Sequence, residues 1–221
     1  MSVFYFVVQQ MMSFSIPLLI VALAAMFSER SGVINIGLEG IMVIGAFAGT
    51  MYLHFASAEP NFNPQTALWV AIILAGLAGA VYSAFHAFAS VNMLADQTIS
   101  GTAINMFASA FAIYMARTVV GIQQISFASG GSFMIEKVPL LGDIPIIGPM
   151  LFQKSYATTY LGFAILLVSA FVLYKTSFGL RLRSAGEFPQ ATDAAGISVR
   201  KIRWAGVLLS GALGGLGGLA Y

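Results

Sequence analysis

Six stretches of about 20 apolar residues, each parted from the next by a polar break, constrain this chain more than any motif does. A helix needs about 20 apolar residues to cross the hydrocarbon core of a bilayer. Inside that core every backbone N–H and C=O has to be satisfied within the protein, so segments of this kind read as helices. They run roughly over 3–27, 34–55, 67–91, 99–120, 158–174 and 202–221. Composition agrees: 59% of residues are hydrophobic and only 8% are charged, where a soluble domain carries about 25% charged residues. The expectation is an all-α, polytopic transmembrane helical bundle forming one domain over 1–221. The first stretch lacks an early Lys or Arg and a small-residue cleavage site, so it reads as a retained span rather than a signal peptide.

Charge sets the orientation. Six of the ten basic residues, Lys175, Arg181, Arg183, Arg200, Lys201 and Arg203, lie in or beside the loop joining the fifth and sixth spans. The positive-inside rule places that loop in the cytoplasm. The segments around Glu29–Arg30 and Asp96 then face the cytoplasm as well, and the N-terminus, the Glu59–Pro60–Asn61 loop and the 121–157 segment face outward. That last segment, rich in Gly, Pro and Ser and holding Glu136, Lys137, Asp143 and Lys154, reads as an ordered external cap. A net charge of +2 with clustered basic residues gives no electrostatic footprint for nucleic acid. The chain has no cysteine, which excludes disulfides, thiolate metal sites and a cysteine nucleophile.

Three polar stretches carry functional information. In the first, Ser28-Glu29-Arg30-Ser31-Gly32 and the residues up to Gly40 interrupt an otherwise apolar block. Irregular backbone near membrane depth is tolerated where it is buried in protein or lines a watery cavity. The reading is a broken helix near the N-terminal third beside a translocation pathway, with Asn35 and Glu39, four apart, on one helix face; an interfacial Glu29–Arg30 pair is the plainer alternative. In the second, Asp96 to Asn105, Thr98 or Ser100 would cap the fourth span and Asp96 would favour its positive end. Asn105 lies far enough inside the span to need a partner, either a neighbouring helix or a polar solute. In the third, Pro189 near a first turn and Gly196 past a last turn bracket a short helix with an Ala191–Ala195 face. That helix either enters a groove on another protein or lies at the headgroups. Small-residue pairs four apart, Gly45 with Gly49, Gly211 with Gly215 and Gly214 with Gly218, read as close helix packing.

The blocks SERSGVINIGLEG at 28–40, ADQTISGTAIN at 95–105, GDIPIIGP at 142–149 and FGLRLRSAGEFPQATDAAGISVRKIRW at 178–204 resemble, in order, the permeases of nucleoside and simple-sugar ABC importers. Ribose and branched-chain amino acid permeases are the broader relatives. The resemblance implies a multi-pass subunit of a bacterial cytoplasmic membrane that carries nucleosides, purine nucleosides foremost, or related simple sugars. It implies a second related permease, a cytoplasmic ATPase that uses ATP and Mg, and an extracytoplasmic solute-binding lipoprotein as partners, with no cofactor held by this chain. Gly186, Glu187, Pro189, Ala191, Ala194, Ala195 and Gly196 fall in the coupling loop that docks the ATPase; Asn35, Glu39, Asp96 and Asn105 fall on the substrate pathway. Family members continue through further spans beyond the Ser210–Gly215 run, so the domain reads as truncated at its C-terminal side.

Other function classes find less support. No Gly-x-x-x-x-Gly-Lys-Ser/Thr loop occurs, so ATP energy would come from another chain. An ion-coupled secondary transporter or channel for a small polar solute is the alternative, and would be expected to carry intramembrane carboxylates, of which Glu39 is the one candidate. An enzyme is not expected: His54 and His86 lie on different spans without metal-site spacing, and no serine sits in a Gly-x-Ser-x-Gly elbow.

Overall fold

A computed structural model describes residues 2–60, 62–121, 133–137 and 153–221. The six spans are α1 (Ser2–Arg30), α2 (Leu38–Ala56), α3 (Pro64–Ala87), α4 (Gln97–Val119), α5 (Ala157–Lys175) and α8 (Val199–Ala220). Their starts follow local chemistry. Asn63 caps α3 by accepting from the N–H groups of Gln65 and Thr66 at 3.1 and 3.4 Å, and Pro64 occupies the first turn, where no N–H is needed. Asp96 caps α4 in the same way, accepting from Thr98 and Ile99 at 2.8 and 3.0 Å. The expected cap from Thr98 or Ser100 gives way to Asp96, whose side chain already stands at the N-cap position.

The interruption at 28–40 lies between two spans. α1 runs through Pro17 to Arg30, residues 31–37 form an irregular link, and α2 starts at Leu38. Asn35 therefore precedes the helix that carries Glu39, and the two do not share a helix face. The link instead turns sharply: Ser31 Oγ donates to the Ser28 carbonyl and Ser28 Oγ to the Val33 carbonyl, both at 2.7 Å, and Gly32 adopts φ +84°.

The last span, α8, occupies the middle and packs on α1, α2 and α3. Glycines allow it. The Gly215 Cα lies where a Cβ on Gly45 would be, and a Cβ on Gly79 would come within 2.9 Å of that same Cα. In lipid, where apolar surface gains little from leaving the solvent, backbone approach of this kind supplies the association energy. Leu38, Ile41, Ile44, Tyr82, Ile104 and Ala108 fill the core on one side of this seam.

At the outward end, strands β1 (Met134–Lys137) and β2 (Gln153–Tyr156) pair antiparallel, a small addition to the all-α expectation. Phe133 packs there with Leu53, Ala67 and Leu68, its ring 6.5 Å from that of Phe62. The expected cap is thus ordered where it meets the bundle; residues 122–132 and 138–152, including Asp143 and the 142–149 motif, lie outside the described residues. Two further helices, α6 (Ser177–Glu187) and α7 (Pro189–Ala194), follow α5 at the basic end.

Candidate functional site

The polar stretches singled out in the sequence converge at the basic end, and the 31–37 link is their meeting point. Its backbone is held by side chains from α3 and α4, and its Asn35 side chain reaches α8. The Ile34 N–H donates to Gln97 Oε1 at 2.7 Å, and the Ile34 carbonyl lies 3.1 Å from His86 Nε2. Asn105 uses both ends of its amide: Nδ2 donates to the Ile36 carbonyl at 3.0 Å and Oδ1 accepts from the Gly40 N–H at 2.7 Å. Asn35 Nδ2 donates to Ser210 Oγ of α8 at 3.1 Å. A segment without its own helical hydrogen bonds is thereby satisfied inside the bundle, as membrane depth requires.

Asn105 thus has the neighbouring-segment partner that its position demanded, and Asn35 sits beside it on the link. The other two pathway candidates stand apart. Asp96 is exposed at the start of α4 and serves as its cap, and Glu39 is exposed on the first turn of α2. None of the four lines a cavity of about 850 Å³ that opens at the end opposite the basic loop among Gln9, Gln10, Ser13, Phe14, Thr50 and Thr159.

His86, which offers no metal-site spacing in the sequence, has a structural role here. It is fully buried and makes more of the link than any single sequence signal suggested. A carbonyl can only accept, so the ring donates from Nε2 to Ile34; Nδ1 then accepts from Ser100 Oγ at 3.1 Å. The ring ties α3 to the link and to the start of α4. Close by, Arg200 Nε and Trp204 Nε1 both donate to Asn92 Oδ1, at 3.1 and 2.9 Å, which fastens the start of α8 to the π turn Phe88–Asn92 that follows α3.

The α6–α7 unit lies beneath this link. α6 is amphipathic, with Gly179, Leu182 and Ala185 buried and Leu180 and Arg181 exposed. α7 is the short helix that Pro189 and Gly196 bracket. Gly196 ends it at φ +78°, with its N–H on the Asp193 carbonyl and the Ile197 N–H on the Thr192 carbonyl, a left-handed close that favours glycine. Thr192 is the inward residue of α7, 2% exposed and joined to Ser184 Oγ at 2.5 Å. Glu187, Ala191, Ala194, Ala195 and Gly196 face outward, Pro189 is half-buried, and Gly186 packs against the turn after α1. The sequence pointed to the helix and its outward alanines; the Thr192 pin, which orients them, carried no signal beyond one hydroxyl among small residues.

A model of the branched-chain amino acid transport system / permease component family matches residues 7–221. The chain is similar to the guanosine ABC transporter permease protein NupQ of Bacillus subtilis, 44% identical over 208 residues covering 94% of this chain and 64% of that protein. It is similar to the nucleoside ABC transporter permease protein NupC of Lactococcus lactis, 42% identical over 97% of this chain and 66% of that protein. A more distant relative is the putative glucose ABC transporter permease protein TsgC13 of Haloferax volcanii, at 28% identity over 91% of this chain and 57% of that protein. The chain spans about two thirds of the length of the first two relatives. No solved structure matches it.

Proposed function

Because the chain belongs to the branched-chain amino acid transport system / permease component family, we propose that it is a multi-pass, non-catalytic membrane subunit of an ABC importer that carries nucleosides, purine nucleosides foremost. The observation that carries this reading is identity above 40% with a guanosine and a nucleoside permease across more than nine tenths of the chain. The partner ATPase binds ATP and Mg at the basic end, a second related permease completes the pathway, and an extracytoplasmic solute-binding lipoprotein delivers the solute.

The α6–α7 unit is the docking element in this reading. Its outward face is built of Ala191, Ala194 and Ala195, small enough to enter a groove, with Glu187 and Gly196 at its two ends. A buried pin at Thr192 keeps α7 from rotating, so that push or pull on α7 is passed to α6. Asn35 and Asn105 then work at the inner end of the pathway by shaping the link, while Glu39 and Asp96 flank it.

Uptake of radiolabelled guanosine tests the reading, in cells lacking the gene and complemented with it. Restored uptake that vanishes when the partner ATPase is deleted is the expected result. Uptake that persists without any ATPase and collapses with an ionophore would sink it in favour of ion coupling; rescue of glucose or ribose uptake alone would move the substrate to a simple sugar. Glu187→Lys and Ala194→Trp should insert normally and lose most uptake, since both alter the docking face and neither is buried.

A further inference from the structure

Two buried side-chain polar atoms lack a hydrogen-bond partner among the described residues, Asn35 Oδ1 and Arg203 Nε, and both lie at the basic end. Asn35 belongs to the link and is 6% exposed. The Arg203 guanidinium lies against the turn just before it: a Cβ on Gly32 would meet Nη2 at 3.3 Å. Buried polar atoms left unpaired cost free energy, and a second arrangement that pairs them recovers it.

At this end the backbone of α6 meets the backbone of the turn after α1 directly, and Gly206 of α8 packs on the side chains of Ser31 and Leu182. A Cβ on Gly186, in the last turn of α6, would stand 2.5 Å from the Arg30 carbonyl oxygen and 3.1 Å from the Gly32 nitrogen. A Cβ on Gly206 of α8 would stand 2.7 Å from Ser31 Cβ and 3.1 Å from Leu182 of α6. At Gly186, displacement of α6 meets backbone rather than side chain and passes directly to the turn at 30–32. From there the link leads to α4, through Gln97, through Gly101, whose Cβ would meet the Gly37 nitrogen at 2.9 Å, and through the two hydrogen bonds of Asn105. α4 is the least buried of the six spans.

We propose that the junction of Gly32, Gly186 and Gly206 is where movement of the α6–α7 unit enters the spans, and that the 33–37 link, held by Asn105, hands this movement to α4. These glycines are positioning residues: they touch no solute, and their work is to keep backbones in contact while the importer cycles. The inference rests on the permease reading above. It adds the route by which an event at the docking face reaches the spans, with the unpaired Asn35 and Arg203 atoms as the mark of a junction that has a second arrangement to adopt.

A reversible lock tests it. The 221 residues contain no cysteine, so a Ser31→Cys/Gly206→Cys pair can be oxidised without competing thiols from this segment. Their β-carbons would start at 2.7 Å, and a disulfide needs about 3.5–4.5 Å, a local shift of about 1 Å. Guanosine uptake and ATP hydrolysis are read on the same membranes, reduced and then oxidised with copper–phenanthroline. Because the added Cβ on Gly206 already presses on Ser31, the reduced pair should transport below the unmodified rate; the expected result is a further loss of about tenfold or more on oxidation, recovery to the reduced rate with dithiothreitol, and co-purification of the ATPase unchanged throughout. Fully cross-linked protein that transports at the reduced rate overturns the proposal. If the reduced pair does not transport, Gly186→Ala decides: fewer nucleosides moved per ATP hydrolysed supports the junction, and an unchanged ratio with less inserted protein makes Gly186 merely structural and overturns it. Unmodified protein that shows no ATP-dependent uptake instead removes the permease reading itself, which separates the two failures.

Discussion

α8 and α4 are spans of similar length, 22 and 23 residues, yet packing and hydrogen bonds hold them in different proportion. α8 is sunk among α1, α2 and α3 by a stripe of glycines and gains its contacts from backbone against backbone. α4 leans mainly on α2 and on the link, turning Ile99, Met106, Phe107 and Tyr114 outward, each more than half exposed. Its attachment includes long-range hydrogen bonds: Gln97 on Ile34, and the amide of Asn105 on Ile36 and Gly40. In a bilayer the hydrophobic effect does not distinguish a buried leucine from a lipid-facing one, so attachment has to come from close packing or hydrogen bonds. α8 relies mainly on the first, whereas α4 adds the second to the close approach of Gly101 to the link, which makes α8 the more tightly packed of the two.

The largest effect expected from breaking this contrast is at Gly215. A leucine there would drive its Cβ into the Ala75 carbonyl, and α3 and α8 would have to separate, at about 3 kcal/mol or more by the cost of over-packing. Denaturant-induced unfolding of detergent-solubilised protein measures it, and a loss below about 1 kcal/mol would mean the seam yields easily. Asn105→Leu comes next, at about 2 kcal/mol, because it strands the Ile36 carbonyl and the Gly40 N–H together. Hydrogen exchange should rise at 36–40 and stay unchanged along α8; a uniform rise would show that Asn105 supports the whole bundle rather than the link. Asp96→Ala should cost about 1 kcal/mol through loss of the cap, with Asp96→Asn nearly neutral because the amide oxygen can still accept.

The same contrast explains what the sequence disclosed. The six spans were legible because length and hydropathy alone decide them, and the glycine stripes of α8 were legible because their spacing is periodic. Asn105 announced itself as an amide too deep in a span to go unpaired. The link was harder. Apolar Val33 and Ile34 suggested that the second span begins early, whereas the chain stays irregular until Leu38 because Gln97, His86 and Asn105 satisfy its backbone from a distance in sequence. No local pattern encodes such partners: Asn105 lies 69 residues from Ile36, and Ser210 lies 175 from Asn35. α6 was not expected from the sequence; its helix is set by the buried Leu182 and Ala185 and the Thr176 cap. His86 is the clearest miss, since a lone histidine in an apolar helix carries no spacing to read.

The smallest effect belongs to the outward face of α4, and it is the sharpest test of how that span is held. Met106 is 73% exposed and neighbours Asn105 in sequence, so truncating it removes bulk one residue away from the clamp without touching either hydrogen bond. If polar attachment is what holds α4, Met106→Ala should leave stability within about 0.5 kcal/mol of the parent. The matching change on α8, Val207→Ala, removes two methyl groups from a fully buried site against Val33 and Ala87 and should cost about 1–2 kcal/mol. Equal losses at the two positions, read from the same unfolding curves, would mean that α4 is packed as firmly as α8 and would erase the distinction between them.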